Sequence, residues 1–580
     1  MKNGLSAGLL VIVLLIMNLI SITVMSIGVK NNKVADVTRF SDQRGWPVVI
    51  NGTVIGPPVL DDVDNDGKIE IVLGSKSGNI YVFKYNGTLM DHWPVNLGEE
   101  VGGIPSLGDV NNDNFLEIID DADNKKTYVL SKNGEVLPGW PVVEGTHIFV
   151  GRPSVADINN DNYPDIIMTG CDSFTYASYI FAYNRTGQWL SGNWPFSSNN
   201  TPFEGMQAVG DINGDGYVEI VTGASYNGGL YAIDHNGNIL DGWPVEQGKR
   251  FPAPITLADL DKDGDLEIIG SSDVGYFNLY IYHHNGTKAL EIENGNGLYD
   301  EIVPIDLDGD QDLEILTITG GQVNAFHHTG ERVNGWPVFF EGAPGGGGGS
   351  ENGEPSVIVG DINGDAKSEI LMSSIISTEK KFKIYAWYCN GSLVENFPME
   401  VVDTNGFVGN GALALGDLDG DGSVELVLVA YGQSQGIFKT KIHVIDLNAT
   451  YHQGTMTWPQ FHHDAQHTGV YCKIPDTTPP EVTIIKPKKA LYINNKEMIH
   501  LPFTCRIIGS IDIAVNASDN ISGINRVEFY IDTKYQGNDS IAPYYWTWEK
   551  WAFLKHTIKV IAYDYAGNSA NDEITVWKFF

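Results

Sequence analysis

The sequence predicts an all-β protein in which a β-propeller of eight repeats is followed by a smaller β domain. Three observations support this fold class: an acidic motif occurs eight times, short apolar segments alternate with tight turns, and no stretch after the N-terminal segment keeps a helical period. With 580 residues, of which 42% are apolar, the chain is long enough for a large repeat domain and a second domain.

The N-terminal segment is predicted to direct the chain out of the cytoplasm. An apolar run follows Lys2 and precedes Lys30, and Gly28 offers a small residue near its end. A run of more than about 20 apolar residues would also span a bilayer if it stayed uncut. We therefore predict residues 1–28 to be a signal peptide or an N-terminal anchor, with residues 5–29 as the membrane tether in the second case. Either way, the protein is expected to be extracellular or on the cell surface.

The chain is strongly acidic, with a formal net charge of −37. Because nucleic acid and anionic membranes are themselves negative, we expect no nucleic-acid partner. Four cysteines are too few for a disulfide scaffold, but Cys472 and Cys505 flank the predicted domain junction and are candidates for a pair. Ten Asn-x-Ser/Thr sequons agree with an exterior location and predict a glycoprotein, unless they serve only as hairpin turns. They start at Asn51, Asn86, Asn184, Asn199, Asn285, Asn390, Asn448, Asn516, Asn520 and Asn538.

The acidic motif Asp-x-(Asp/Asn)-x-Asp-x-x-x-(Glu/Asp) defines the repeat. Its copies, called loops 1 to 8, begin at Asp62, Asp109, Asp157, Asp211, Asp259, Asp306, Asp361 and Asp417. Successive copies start 47, 48, 54, 48, 47, 55 and 56 residues apart. This period suits one four-stranded propeller blade of about 40 to 50 residues, so the propeller is predicted over residues 36–472.

Each loop is expected to join two strands of its blade. Around loop 1, residues 54–60, 70–74 and 79–85 are predicted as strands, and Asn86-Gly87 as a hairpin turn. A Trp-Pro pair is predicted on the fourth strand, where an edge tolerates proline and a large ring can fill the gap between blades. The pair occurs at Trp46, Trp93, Trp140, Trp194, Trp243, Trp336 and Trp458, with Phe397-Pro398 as a variant.

The loops are predicted to bind calcium, because oxygen ligands at positions 1, 3 and 5, a backbone carbonyl at position 7 and an acid at position 9 surround a hard cation. The motif contains no Cys or His, which argues against zinc or copper. The alternative is a solvated acidic turn, since Asp and Asn are common in turns. The predicted ligands are Asp62, Asp64, Asp66, Lys68 (through its carbonyl), Glu70, Asp109, Asn111, Asp113, Glu117, Asp157, Asn159, Asp161, Asp165, Asp211, Asn213, Asp215, Glu219, Asp259, Asp261, Asp263, Glu267, Asp306, Asp308, Asp310, Glu314, Asp361, Asn363, Asp365, Glu369, Asp417, Asp419, Asp421 and Glu425.

Position 6 should favour a left-handed backbone, which Gly and Asn adopt most readily. Gly or Asn occupies it in six loops, whereas Gln311 and Ala366 occupy it in loops 6 and 7. Loops 6 and 7 are therefore predicted to be the weaker sites. The calcium ions are expected to be structural, because clustered carboxylates repel one another without a cation.

The repeat resembles the FG-GAP/VCBS family, whose best-known member is the propeller of integrin α-subunits. The resemblance covers roughly residues 43–471 and implies calcium bound between the first two strands of each blade. Integrins have seven blades, so a seven-bladed ring is the alternative to eight. Residues 458–469 look like the closing tail of similar exported microbial propellers.

The C-terminal region resembles a bacterial immunoglobulin-like domain of surface proteins. Residues 473–480, which include Pro479 and Pro480, are predicted as a linker, and alternating apolar strands follow it. A sandwich of about 100 residues fits residues 481–580.

No catalytic motif stands out. The sequence has no Gly-x-Ser-x-Gly elbow, phosphate loop or zinc-protease helix, and nearly every conspicuous acid lies in a loop. His463 and His467 are predicted to pack beneath the last blade rather than act as acid and base. Five histidines fall at one repeat position, which favours a role in the scaffold: His235, His283, His284, His327 and His328.

The predicted function is that of an exported, calcium-binding, non-enzymatic surface or secreted protein in adhesion, with a glycan or a surface protein as partner. One alternative is a carbohydrate-active enzyme, such as a polysaccharide lyase on a calcium-bearing propeller. Such an enzyme should gather residues like Arg152 or Arg250 with acids outside the loops. A second alternative is a structural component of the cell envelope.

Overall fold

The computed structural model describes most of the chain as β-structure. The described residues are 41–101, 104–122, 125–143, 148–172, 175, 177–198, 202–203, 205–224, 228–272, 277–295, 301–310, 312–319, 321–344, 357–402, 407–434, 437–471, 478–519, 524–539, 543–564 and 568–580. Among them the only helix is one 3-10 turn, Gln453–Thr455, so none is long and apolar enough to cross a membrane. The predicted signal segment, Gln311, Cys472 with its proposed disulfide, and linker positions 473–477 lie outside these ranges.

The first strand, β1 (Val48–Asn51), pairs with residues 439–442 near the end of the repeat region. Sheets 1 to 4 then follow the chain. Sheet 1 contains β2 (Val59–Asp61), β3 (Glu70–Gly74), β4 (Asn79–Phe83) and β5 (Val95–Asn96). Sheet 2 contains β6 (Ser106–Gly108), β7 (Glu117–Ala122), β8 (Lys126–Leu130) and β9 (Val142–Val143). Sheet 3 contains β10 (Ile148–Ala156), β11 (Asp165–Asp172), β12 (Ser178–Tyr183) and β13 (Phe196–Ser198), and sheet 4 contains β14 (Ala208–Gly210), β15 (Glu219–Ala224) and β16 (Gly229–Ile233).

Sheets 5 to 8 continue the same antiparallel meander. Sheet 5 contains β17 (Thr256–Ala258), β18 (Glu267–Ser272), β19 (Phe277–Tyr282) and β20 (Lys288–Gly295). Sheet 6 contains β21 (Val303–Ile305), β22 (Glu314–Thr319), β23 (Gln322–His327) and β24 (Val338–Phe339). Sheet 7 contains β25 (Ala343–Pro344), β26 (Ile358–Gly360), β27 (Glu369–Ile376), β28 (Lys381–Trp387) and β29 (Met399–Val402). Sheet 8 contains β30 (Phe407–Gly416), β31 (Ser423–Ser434) and β32 (Ile437–Thr450), with β1 added beside β32.

The first strand of sheet 1 is shorter than predicted. It covers Val59–Asp61 rather than residues 54–60, because Pro57 and Pro58 have no N–H to donate to a ladder. The Trp-Pro pairs were predicted on the fourth strand, but in sheet 1 the pair lies before it. Trp93-Pro94 directly precedes the outer strand Val95–Asn96.

Six of the seven tryptophans in the Trp-Pro pairs, all except Trp458, join neighbouring sheets, as the sequence predicts. Their rings are 6–8% exposed, and each indole N–H donates to a backbone carbonyl in the third hairpin of the next sheet. The pairs are Trp46 with Tyr85 (2.7 Å), Trp93 with Lys132 (2.8 Å), Trp140 with Arg185 (3.1 Å), Trp194 with His235 (3.3 Å), Trp243 with His284 (2.9 Å) and Trp336 with Cys389 (3.0 Å). Because Trp46 precedes the outer strand of sheet 8 and contacts sheet 1, the sheets close into a ring, an arrangement consistent with a β-propeller.

Residues 458–471, called the closing tail, run along the inner strands of the ring. Trp458 lies in this tail, as the resemblance of residues 458–469 to a closing tail implies, and not on a fourth strand with the other Trp-Pro pairs. Its Nε1 has no hydrogen-bond partner among the described residues. Backbone contacts join Val359 to Trp458, Leu415 to Pro459, Leu107 to Ala465, Val155 to Gln466, Val209 to Thr468 and Leu257 to Gly469. The Gln460 side chain bonds both backbone groups of Leu60. The closing tail thus contacts the inner strands of sheets 7, 8, 1, 2, 3, 4 and 5.

Gly139 is required by the close approach of two sheets. Its φ is +96°, and a Cβ atom there would lie 2.1 Å from the carbonyl oxygen of Thr186 in sheet 3. We expect Gly139→Ala to lower the free energy of unfolding by more than about 2 kcal/mol, measured by denaturant titration. Gly98→Ala is the matched control, because Gly98 also has a positive φ (+89°) but nothing within 4 Å of its Cβ position. Equal losses in both variants would show that the contact with Thr186 does not matter.

Residues 481–580 form two further sheets. Their strands are β33 (Glu481–Lys486), β34 (Ala490–Ile493), β35 (Lys496–His500), β36 (Cys505–Ile508), β37 (Ile511–Ser518), β38 (Ile524–Ile531), β39 (Lys534–Asp539), β40 (Tyr544–Trp548), β41 (Phe553–Asp564) and β42 (Ser569–Phe579). One sheet has the order β33-β37-β40 and the other β35-β34-β36-β42-β41-β38-β39. Ile513, Phe529, Trp548 and Val560 are buried in one core cluster, consistent with an immunoglobulin-like sandwich.

Candidate metal centres

The eight acidic loops connect the first and second strands of sheets 1 to 8 and are anchored at both ends. Position 2 is apolar and at most 6% exposed in every loop. The residues are Val63, Val110, Ile158, Ile212, Leu260, Leu307, Ile362 and Leu418. Position 9 opens or adjoins the second strand, so burial of both ends fixes where the polar residues between them lie.

The acid at position 9 is buried and held in the same way in all eight loops. One of its oxygens accepts the backbone N–H of position 2 at 2.7–3.3 Å. The acids are Glu70, Glu117, Asp165, Glu219, Glu267, Glu314, Glu369 and Glu425. This hydrogen bond orients the second carboxylate oxygen of position 9 toward the other carboxylates of the loop.

The remaining carboxylates are oriented by backbone amides of their own loop. In loop 1, Asp62 accepts the N–H groups of Asp66 (3.0 Å) and Gly67 (2.7 Å), and Asp66 accepts that of Lys68 (3.0 Å). The bond from position 7 to the acid at position 5 recurs in every loop. The loop therefore curls so that its acids face a common centre, as in calcium-binding loops.

The backbone at position 6 is left-handed in every loop where that residue is described. This includes Ala366 (φ 60°), so alanine takes the conformation that the sequence argument reserved for Gly or Asn. Position 4 is also left-handed in all eight loops, with φ between 55° and 80°, and sequence reasoning missed it. The signal was present, because Asn or Gly fills position 4 everywhere except Lys262 in loop 5.

Loops 1 and 8 contain buried oxygens that have no hydrogen-bond partner in the part of the chain that the structure describes. Glu70 Oε1 and Glu425 Oε1 are buried and make no hydrogen bond, and Asp64 Oδ1 and Asp417 Oδ1 are in the same state. Burial, followed by the neighbouring loop carboxylates, raises the pKa of Glu70 and of Glu425 to about 8. A desolvated carboxylate oxygen without a donor is costly, so these residues fit a bound cation.

Other loops show the same electrostatics. Burial raises the pKa of Glu117, Asp165, Glu219 and Glu369 to about 8 as well. In loop 2 the Asn111 amide donates to the second oxygen of Glu117 at 2.7 Å. A half-turn of that amide exchanges its nitrogen and oxygen, so the side chain can present oxygen to a cation instead.

One further position lies opposite position 9, on the strand that pairs with the second strand or directly after it, and differs between loops. We call it the facing position; it holds Lys84, Ser131, Asn184, Asp234, His283, His327, Tyr388 and Asp446 in loops 1 to 8. Its side chain contacts a loop carboxylate in loops 1, 5 and 6. In loop 1, Lys84 Nζ is 3.0 Å from Asp64 Oδ2, so this loop carries its own positive charge. Hydrogen bonding to Asp64 raises the pKa of Lys84. The residue at the facing position thus gives the loops different charges. The ranking of the predicted calcium sites by position 6 did not take this difference into account.

The five repeat histidines occupy two positions rather than one. His283 and His327 are in the facing position, whereas the other three pack against position 7. His235 stacks on Tyr217 with ring centroids 4.0 Å apart, His284 Nδ1 is 2.8 Å from Asp265 Oδ2, and His328 Nδ1 is 3.8 Å from Asp312 Oδ2. The scaffold role predicted for all five fits the contacts of these three.

A cavity of about 380 Å³ lies beside the closing tail and next to loop 1. Its lining includes Asp61, Tyr451, Gln466 and the pair His463–Asp464, whose Nδ1 and Oδ2 atoms are 3.2 Å apart. Burial raises the pKa of Asp61 and that of Tyr451. These groups can bind a polar ligand through hydrogen bonds from several directions.

His467 packs in the middle of the ring rather than beneath the last blade, since its carbonyl accepts Ser154 Oγ from sheet 3 at 2.7 Å. Burial, and then the nearby His462, lowers the pKa of His467 from 6.5 to about 3. As the pH falls, His467 therefore becomes protonated in the unfolded chain before it does so in the native protein. The free energy of unfolding then decreases between about pH 6.5 and pH 3, by up to about 1.4 kcal/mol per pH unit. We expect His467→Gln to reduce the acid sensitivity of unfolding measured between pH 7 and 4.5. The exposed His500→Gln variant should keep the wild-type slope, and a wild-type slope in His467→Gln would contradict the prediction.

Comparison with known proteins supports both predicted resemblances. A family model described as an FG-GAP-like repeat matches residues 62–119, 157–222, 211–270 and 259–317, which contain loops 1 to 6. A model described as a bacterial Ig domain matches residues 480–560. No curated protein matches the chain.

Two solved structures are similar to parts of the chain at low TM-score. The V. cholerae biofilm matrix protein Bap1 aligns with a TM-score of 0.38 and 13% identity, over 74% of this chain and 96% of that one. The fibronectin(III)-like modules of Clostridium thermocellum CbhA align with a TM-score of 0.13 and 25% identity, over 17% of this chain and 100% of that one. TM-scores this low carry no argument about function.

Proposed function

We propose that this chain, which carries FG-GAP-like repeats followed by a bacterial Ig domain, is an exported calcium-binding protein of adhesion type. The two kinds of domain fit an extracellular or surface protein and are typical of non-enzymatic proteins. The finer parts of the proposal are an eight-bladed propeller over residues 36–472, an Ig-like domain over residues 481–580, and structural calcium in the loops. The partner is a glycan or a surface protein.

The observation that carries the calcium proposal is the pair of buried, unpartnered oxygens Glu70 Oε1 and Glu425 Oε1. A solvated acidic turn would expose these carboxylates to water, yet both residues are fully buried. Calcium accepts six to eight oxygen ligands at about 2.3–2.6 Å and needs no nitrogen or sulfur. The carboxylates and the position 7 carbonyl of each loop are ligands of this kind.

Calcium would order a rim made of consecutive loops. Asn112 of loop 2 donates to the carbonyl of Asn162 in loop 3 at 2.6 Å, and Asn160 of loop 3 donates to that of Gly216 in loop 4 at 2.6 Å. Lys262 of loop 5 reaches the carbonyl of Asp310 in loop 6 at 3.0 Å. Since these contacts join loops 2, 3 and 4 and loops 5 and 6, ions that fix the loops would make these parts of the rim rigid. A rigid surface binds a partner with less loss of conformational entropy.

The test is calcium-dependent binding by residues 41–580. We expect the calcium-loaded protein to bind an immobilised panel of surface polysaccharides or intact cells, and to release them when calcium is chelated. Glu425→Gln should lose about one calcium ion per chain by elemental analysis, whereas the exposed control Glu135→Gln should keep the wild-type count. A chain that binds no calcium, or that binds its partner equally well after chelation, would overturn the proposal.

The cavity beside the closing tail favours a second candidate, a carbohydrate-active enzyme. His463, paired with Asp464, and Asp61 line this cavity, and an imidazole with a carboxyl group can act as base and acid. The test is product release from a polysaccharide panel, with His463→Gln as the variant and His235→Gln as the control. Turnover that disappears only in His463→Gln would establish the enzyme, and absence of products from every polysaccharide would exclude it for that panel.

A further inference from the structure

Loops 5 and 6 differ from the others because a histidine occupies the facing position. His283 Nδ1 is 3.1 Å from Glu267 Oε1, and His327 Nδ1 is 2.9 Å from Glu314 Oε1. A third ligand comes from position 3 of each loop, Asp261 or Asp308. The ligand atoms of each triad all lie within 4.8 Å of one another.

This donor set differs chemically from that of a calcium site. Calcium takes oxygen ligands, whereas an imidazole nitrogen is a ligand for zinc and other late first-row metals. Zinc binds nitrogen and carboxylate oxygen at about 2.0–2.2 Å, which places neighbouring ligands roughly 3.4 Å apart in a tetrahedron. The nitrogen–oxygen separations in loops 5 and 6, 3.1 and 2.9 Å, are hydrogen-bond distances. A widening of about 0.3–0.5 Å would give the separation that zinc requires.

The ligands are held in place by contacts outside the triads. The second oxygen of Glu267 accepts the N–H of Leu260 at 3.0 Å, and that of Glu314 accepts the N–H of Leu307 at 2.7 Å. Each glutamate therefore keeps its free oxygen directed at the histidine, and such outer contacts strengthen metal binding. The third carboxylate, Asp261 or Asp308, belongs to the loop motif itself, so the histidine is the ligand that sets loops 5 and 6 apart.

A metal ion can reach both sites. The side chains of His283 and His327 are 35% and 30% exposed, while their glutamate partners are buried. Loop 6 also borders a cavity of about 840 Å³ that extends to loop 7 and includes Asp308, His327 and Cys389 in its lining. The cavity leaves room for water ligands to complete the coordination of an ion.

We infer that loops 5 and 6 are sites for a divalent transition metal, best fitted by zinc, formed by Asp261, Glu267 and His283 and by Asp308, Glu314 and His327. The inference rests on the proposed function in one respect: loops 5 and 6 must adopt the curled conformation. It does not require that the other loops bind calcium. The protein would then carry two kinds of ion on one rim, with the facing residue selecting which ion each loop holds.

The experiment loads residues 41–580 with zinc in the presence of millimolar calcium and counts both metals after gel filtration. We expect about two zinc ions per chain, one for each triad. His283→Asn with His327→Asn should retain none, or bind zinc more than about tenfold more weakly by calorimetry. Each single variant should retain about one zinc ion, and His235→Gln, which changes a repeat histidine outside the triads, should retain both. The thermal transition of the double variant in calcium checks that it is folded.

The metal counts separate this inference from the proposed function. Two zinc ions with no calcium would leave the zinc sites standing and refute the calcium proposal. Calcium without zinc, or zinc retained in full by the folded double variant, would overturn the inference. Cobalt in place of zinc gives an independent readout, because visible absorption of a four-coordinate ion should appear in the wild type and disappear in the double variant.

Discussion

We expect chelation of calcium to lower the melting temperature of the repeat domain by at least about 10 °C. Each ion that binds only the native state adds about 2.7 kcal/mol at a concentration 100 times its dissociation constant. For a repeat domain of roughly 430 residues, a shift of 10 °C corresponds to about 9 kcal/mol, which about four such ions together exceed. Without them, buried oxygens such as Glu70 Oε1 and Glu425 Oε1 have no compensation. The measurement is a calorimetric melt of residues 41–580 with calcium and after chelation, with bound metal counted by elemental analysis.

The same melt contains its own control, because residues 481–580 have no acidic loop. The transition of this region should stay where it is when calcium is removed. A repeat-domain transition that does not move, in a protein with no bound calcium, would mean that the eight loops are only acidic turns. Bound calcium without any shift would mean that the ions bind native and unfolded chains equally.

We expect Trp458→Ala to lower the free energy of unfolding by about 3–5 kcal/mol. Trp458 is completely buried and lies in one core cluster with Val357 and Val359 of the sheet 7 region. Its removal leaves a cavity where the closing tail enters the inner strands. The measurement is urea unfolding of residues 41–580, and the control is Trp551→Ala, since Trp551 is 82% exposed and its loss should cost less than about 0.5 kcal/mol. Similar losses in the two variants would show that the start of the closing tail does not stabilise the ring.

The repeat architecture was predictable because it depends on local signals. The acidic motif, the hairpin turn and the Trp-Pro pair each span fewer than about ten residues, and they recur along the chain in the same order. Ring closure was not predictable in this way. Val48 pairs with Ile442, and no local pattern reveals a partner that far along the chain. The placement of Trp46 in sheet 8 therefore emerged only from the structure.

The loops, too, were predictable only in part. The ligand positions could be predicted from the alternation of acidic residues. The left-handed backbone at position 4 was not predicted, because Lys262 interrupts the pattern of Asn or Gly at that position. The different contacts of His283 and His284 also could not be predicted from the sequence. Neighbouring residues at the end of a strand point in opposite directions, so the exact strand end decides which histidine faces Glu267 and which contacts Asp265.

The closing tail has a consequence for how the ring comes apart. In a linear stack of repeats each unit touches only its neighbours, so such a stack can fray from one end. The closing tail instead bonds to Leu107, Leu257 and Val359 in sheets 2, 5 and 7, which are not adjacent to one another. Detaching one of the seven sheets that the closing tail contacts therefore loosens a segment that the other six also contact. We expect the repeats to unfold as a single cooperative unit. Partly opened rings should then be scarce, and a protease acting on the native protein would find the full chain or the unfolded one, with little between.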